Sequence, residues 1–237
     1  MTSQHVVAGI DGSATAFRAL DHAAREALRR GAVLHILHAV PHPDEARPVL
    51  TAALWHVVDR HPELTAVPVP AVGDPARVLA ERSRNAALTV VGSREASGGV
   101  AGHLRGSVTR RLIALTRGPL LVVPGVVRTG PPPPPRARHG GVLLCVAGDA
   151  DVEAAACAFA EADRRGAAVR VERARGGMVH AVLRASADAD LVVVALHRKH
   201  PPGPSAGPHL GHALRALLRR ADCPLLLIPA PVAARAD

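Results

Sequence analysis

Pro119-Leu-Leu-Val-Val-Pro124 and Pro224-Leu-Leu-Leu-Ile-Pro229 are one short phrase written twice in the same chain. Each is an uninterrupted apolar run closed by prolines, the pattern of a strand buried on both faces. Gly106 stands as far ahead of Pro119 as Gly211 stands ahead of Pro224. Further upstream, Arg29-Arg30-Gly31-Ala32 returns as Arg164-Arg165-Gly166-Ala167. Three matches in the same order point to an internal duplication.

Working outward, each half alternates strands and helices. In the first, strands are predicted at 6–10, 33–40, 66–72, 88–91 and 120–123, and helices at 14–30, 44–60, 75–85 and 107–116. Gly31 ends the first helix as a C-terminal stop, and Pro75 opens the third. Pro48 leaves the start of the second open. Pro68 and Pro70 place the third strand at a sheet edge, because proline cannot donate to a ladder. The second half repeats the plan with strands at 142–146, 169–173, 191–195 and 225–228 and helices at 151–165, 177–187 and 210–221. Nothing in it corresponds to residues 44–66, so it is shorter by about one helix and one strand. Strands alternating with helices imply doubly wound parallel α/β sheets. The expected organisation is a first domain at 1–125, a linker at 126–140 and a shortened second domain at 141–237. The linker contains Pro131 to Pro135, a stiff polyproline II rod. A spacer is its expected role and a ligand for an aromatic groove the alternative.

Composition agrees with this plan. The 237 residues suit two domains of about 110 each. Phe17, Trp55 and Phe159 are the only aromatic side chains apart from histidine. The core must therefore be aliphatic, and the composition argues against single-strand nucleic-acid binding by base stacking on aromatic platforms. A net charge of +9, carried mostly by arginine, favours anionic partners, although arginines scattered along helices read first as solvated faces. Cys145, Cys157 and Cys223 form no CxxC pair, which fits a reducing cytoplasm. No apolar stretch is long enough to span a membrane, and the polar N-terminus does not resemble a secretion signal. A cytoplasmic location is expected.

Ligands of open parallel sheets bind beyond the carboxyl ends of strands, where strand order reverses. Two loops of the first half end there. Asp11-Gly12-Ser13 follows the first strand; Asp11 could accept hydrogen bonds from an adenine or a ribose, or Asp11 or Ser13 could simply cap the helix. The second loop runs from Gly92 to Ser107, rich in glycine, between a buried strand and a helix start at Gly106-Ser107-Val108. Its backbone N–H groups and the helix dipole could receive an anion. It is not a Walker loop, for no Gly-Lys-Ser/Thr is present.

The strand ending in Asp-Gly-Ser, the later Val-Val-Gly-Ser-Arg, Gly-Ser-Val and Pro-Leu-Leu-Val-Val-Pro together resemble the universal stress protein family, strongly over 5–124 and faintly over 141–230. The resemblance implies sheet order 3-2-1-4-5 and ATP at the switch point. It implies that Gly9 and Asp11 face the adenosine and that Ala39 lines the adenine pocket. Val91 and Gly92 would then contact the ribose, and Gly106, Ser107 and Val108 the phosphates. It further implies pairing of domains through their last strands, within one chain or in a homodimer.

The sequence departs from the family pattern. Glu95 stands where a second glycine is expected, and the spacing from Gly92 to Gly106 is one residue too long; Arg94 or Arg105 could offset the added charge. In the second half Ala147 replaces Asp11, Ala195-Leu196-His197 replaces Gly92-Ser93-Arg94, and Gly211-His212 replaces Gly106-Ser107. That half reads as structural or regulatory. His197, His200, His209 and His212 could ligate zinc, but a solvent-exposed basic loop is the simpler reading. His38 reads as a satisfied core or edge residue. No nucleophile–base–orienter set can be assembled, so catalysis is not expected beyond weak ATP hydrolysis. The expected function is adenine-nucleotide (ATP) binding and regulation in stress response, any metal ion arriving only with the nucleotide. The rival is a nucleotide-free module that binds a protein partner.

Overall fold

In the computed structural model the described residues are 4–93, 108–125, 141–146, 151–173, 179–197, 212–221 and 223–230. Two compact units divide the chain, Met1–Gly125 and Val126–Asp237. The first comprises β1 (His5–Gly9), α1 (Ala14–Arg30), β2 (Val33–Val40), α2 (Ala46–Arg60), β3 (Ala66–Val72), α3 (Pro75–Arg82), β4 (Leu88–Ser93), α4 (Val108–Leu115) and β5 (Leu120–Pro124). Its strands are parallel in the order β3-β2-β1-β4-β5.

Local chemistry explains these elements. Ser13 is the N-cap of α1, its hydroxyl accepting from the Ala16 N–H at 3.2 Å. Gly31 closes the helix at φ 56°, a left-handed conformation that glycine enters without strain. A short 3-10 turn, Pro43–Glu45, leads into α2. Pro48 falls in the first turn of α2, where a missing N–H costs no intrahelical bond. β3 lies at the edge, with Pro68 opposite Ile36 and Pro70 opposite His38. Aliphatic side chains fill the core, among them Leu20, Leu34, Ile36, Leu88, Leu112 and Leu120, all essentially inaccessible.

The second unit comprises β6 (Gly141–Val146), α5 (Val152–Arg165), β7 (Val169–Arg173), α6 (Val179–Ser186), β8 (Ala189–Leu196), α7 (His212–Arg220) and β9 (Leu225–Pro229). Its order, β9-β8-β6-β7, is the first unit's order without the outermost strand. The register confirms the correspondence. Val6 pairs with Leu34 and Leu88, and Val142 pairs with Val169 and Leu191. Gly166 repeats the left-handed stop of Gly31 at φ 57°. Among the described residues no helix or strand answers to α2 and β3. The fold is thus a tandem pair of doubly wound parallel α/β units, the second smaller by one strand and one helix. Cys145 is buried in β6, and burial pushes its thiol up to about 12, as suits a core residue and not a reactive one.

One titration follows from this packing. Burial, reinforced by the Arg25 guanidinium, pushes the His22 imidazole of α1 down to about 4 from an ordinary value of 6.5. The folded state therefore holds the neutral ring while the unfolded chain binds a proton first. The resulting stability is complete above pH 6.5 and is lost as pH falls from there toward 4. Urea midpoints should decline over that window, and His22→Gln should flatten the decline; an unchanged slope would refute it.

Candidate functional site

The switch point of the first unit is set by topology. β1 and β4 are neighbours, with Gly9 opposite Val91. The chain leaving β1 enters α1, which packs across β1, β2, β4 and β5. α4 packs on β4 and on α3, and α3 packs on β2. Tertiary bonds tie together the elements around the switch point. His38 Nδ1 lies 2.8 Å from the Ile10 carbonyl; since a carbonyl only accepts, the proton sits on Nδ1 and the ring fixes the end of β1. The Thr109 hydroxyl donates to the Gly92 carbonyl at 2.9 Å and ties the first turn of α4 to β4. Asp74 caps α3 by accepting from the Arg77 N–H at 3.1 Å and takes a bidentate pair from Arg111 of α4 at 2.7 and 2.8 Å. That guanidinium holds the Asp74 carboxyl below its ordinary value.

The structure places the predicted site residues as follows. Gly9 ends β1, and Val91 and Gly92 lie near the end of β4. Asp11 is exposed at the tip beyond β1, and its Oδ1 accepts from the Ser13 N–H at 3.0 Å and from the Ser13 hydroxyl at 2.5 Å. Of the two candidates for the cap, Ser13 performs it and Asp11 braces Ser13. Ala39 is half-buried near the end of β2, opposite Ala71. Val108 opens α4 and is exposed. Gly106, Ser107 and Glu95 lie outside the described residues. Gly9, Asp11, Val91, Gly92 and Val108 thus gather around the neighbouring ends of β1 and β4.

The glycines prove to have internal reasons for lacking a side chain. A Cβ on Gly92 would stand 2.7 Å from Thr15 Cγ2 and 3.0 Å from the Thr15 carbonyl, so it is the first turn of α1 that needs the space. A Cβ on Gly9 would meet Leu79 at 2.9 Å and Val91 at 3.1 Å. Gly12, at φ 79°, makes the turn behind Asp11. Sequence reasoning passed over Thr15, Leu79, Thr109 and the Asp74–Arg111 pair. Only Asp74 carried a signal, as a capping residue ahead of a proline at the helix start.

A separate open cavity of about 370 Å³ lies between α2 and β3, lined by Arg47, Leu50, Leu54, Pro68 and Pro70 among others, and none of the switch-point residues borders it. In the second unit, His197, just past β8, places Nε2 2.5 Å from Oδ1 of Asp151, a buried carboxylate just before α5. His197 and Asp151 thus stand together at the strand ends that correspond to the switch point of the first unit. His200 and His209 lie outside the described residues. Among the described residues no three potential metal ligands cluster, and no helix is long and apolar enough to cross a membrane.

This architecture defines a tandem doubly wound α/β protein whose first unit reverses its strand order between β1 and β4. The model of the universal stress protein family matches residues 2–55 and 56–124, and the chain belongs to that family. Universal stress protein Rv1996 of Mycobacterium tuberculosis is 29% identical over 204 residues, covering 70% of this chain and 61% of its own length. The chain therefore spans less than two thirds of that relative. A universal stress protein structure from Archaeoglobus fulgidus shares the fold over 95% of this chain and 96% of its own, at TM-score 0.64 and 15% identity. A universal stress protein in complex with cAMP aligns with 52% of this chain and 98% of its own, at 30% identity and TM-score 0.45.

Proposed function

We propose that this is a cytoplasmic stress-response protein that holds an adenine nucleotide, ATP, in its first unit. Binding then sets its shape or partner choice and does not drive turnover. The observation that carries the reading is the exposed Asp11 carboxylate at the tip of β1, beside the end of β4, where strand order reverses in a member of this family. Asp11 is assigned to the adenosine, the backbone around Val91 and Gly92 to the ribose, Ala39 to the adenine wall, and Gly106, Ser107 and Val108 to the phosphates. Any metal ion would arrive only with the nucleotide. Residues 126–140 would act as the spacer between 1–125 and 141–237.

Equilibrium binding of labelled ATP to the full chain tests this. Saturable binding is expected, and Asp11→Ala should weaken it by about tenfold or more, the loss of one or two charge-assisted hydrogen bonds. Its fold should survive, because losing the brace on Ser13 costs about 1 kcal/mol or less. Replacing Gly106 with a bulky residue should abolish binding. Absence of saturable binding at millimolar ATP would reject the reading. The rival, a nucleotide-free interaction module, draws support from the internal packing reasons for Gly9 and Gly92, which require no ligand.

A further inference from the structure

The two units share one register, so each exposed apolar residue of the second has a counterpart in the first. The Arg29-Arg30-Gly31 and Arg164-Arg165-Gly166 stops align α1 with α5. Val152 then corresponds to Phe17, Ala156 to Asp21 and Phe159 to Ala24. The strand pairings align Val171 with Ile36. In the first unit this stripe faces α2. The Phe17 ring meets the His56 ring at 5.1 Å, Asp21 lies 2.6 Å from His56 Nε2, and Ala24 and Ile36 are fully covered. In the second unit Val152 is 69% exposed, Phe159 58% and Val171 52%. The outer edge of β7 has no strand beside it among the described residues. An apolar helix stripe thus adjoins an open strand edge, two surfaces that proteins seldom leave bare together.

We propose that a second copy of this chain occupies this face. The β7 strands of two copies pair antiparallel about a two-fold axis through Val171, and their α5 helices close over the seam. The β7 sequence, Val169-Arg170-Val171-Glu172-Arg173, is complementary to itself in that register. Val171 meets Val171 of the partner subunit. Arg170 stands opposite Glu172 of the partner subunit, and symmetry repeats the pair, giving two opposite-charge cross-strand contacts. The faces sort correctly. Arg170 donates to the Ala185 and Asp188 carbonyls at 3.3 and 3.1 Å, around the end of α6, so Arg170 and Glu172 share that face. Val171, one residue along, points to the other face, as Ile36 does beneath α2. The two-fold axis keeps both α5 helices on one side of the joined strands, with Val152 and Phe159 lining the gap that α2 fills in the first unit.

Sedimentation equilibrium of the full chain measures the association. A reversible dimer is expected. Phe159→Asp and Val171→Lys, both at exposed positions, should each weaken it by about tenfold or more while leaving circular dichroism unchanged. Arg170→Glu and Glu172→Arg set like charges opposite one another and should each favour monomer. Mixing those two variants restores both opposite-charge pairs and should yield a heterodimer. A wild-type chain that stays monomeric at its highest soluble concentration would overturn the proposal, whatever other protein it bound. So would a dimer indifferent to Phe159→Asp and Val171→Lys, or a mixture that forms no heterodimer.

Discussion

Gly118→Ala is expected to cost the first unit about 3 kcal/mol or more and to lower its melting temperature by on the order of 10 °C. Gly118 is buried in the turn between α4 and β5. A Cβ there would stand 2.3 Å from the Ser83 carbonyl oxygen, which belongs to backbone and cannot swing away as a side chain could. The surroundings offer no slack. The Thr116 hydroxyl donates to the Gly118 carbonyl at 3.1 Å and lies 3.2 Å from Ser83 Oγ. Ser83 in turn donates to the Ala80 carbonyl at 2.7 Å. One methyl group must therefore separate the end of α3 from the entry to β5 or break this buried chain of hydrogen bonds. Gly31→Ala is the proper contrast. Nothing lies within 4 Å of its Cβ position, so it suffers only the left-handed backbone penalty of about 1 kcal/mol. Thermal unfolding of the two variants side by side should show the Gly118 change as much the larger; equal losses would refute the steric account.

Glu26→Ala should be comparably damaging, by about 3 kcal/mol, for an electrostatic reason. Glu26 is 3% exposed on α1. Its carboxylate pairs with Arg29 at 2.7 Å and with Arg30, whose side chain is itself only 6% exposed. Removing the carboxylate leaves a largely buried guanidinium without this counter-charge, and a buried charge costs far more unpaired than the pair contributes when whole. Arg29→Ala should cost only a few tenths of a kcal/mol, since Arg29 is 38% exposed and its pair is screened. The second unit repeats the device, with Glu161 bonded to Arg164 at 2.9 Å and to the part-buried Arg165. Glu161→Ala should therefore reproduce the loss there. Urea unfolding of the three variants checks the pattern, which fails if Glu26→Ala proves no worse than Arg29→Ala.

Both predictions concern residues whose importance was unevenly legible. The Arg-Arg-Gly-Ala repeat announced a helix end in each half, but the buried glutamate three residues earlier showed only once the helix was packed. Gly118 carries no motif at all. Conversely, Gly92 reads as the start of a phosphate-binding loop, while its missing Cβ makes room for Thr15. A glycine's sequence neighbours do not reveal which distant backbone approaches it.

The amino-acid sequence alone determined the duplication, the order of strands and helices, the edge position of β3 and the missing helix and strand of the second unit. These are local properties: apolar periodicity, capping residues, glycine stops and prolines that cannot donate to a ladder. The tertiary structure alone decided which residues meet. Asp74 finds Arg111, His38 finds Ile10, Thr109 finds Gly92, and Phe159 finds no covering helix among the described residues. Such pairings depend on how far apart stretches of chain pack against one another, and pattern within a short window holds no record of that.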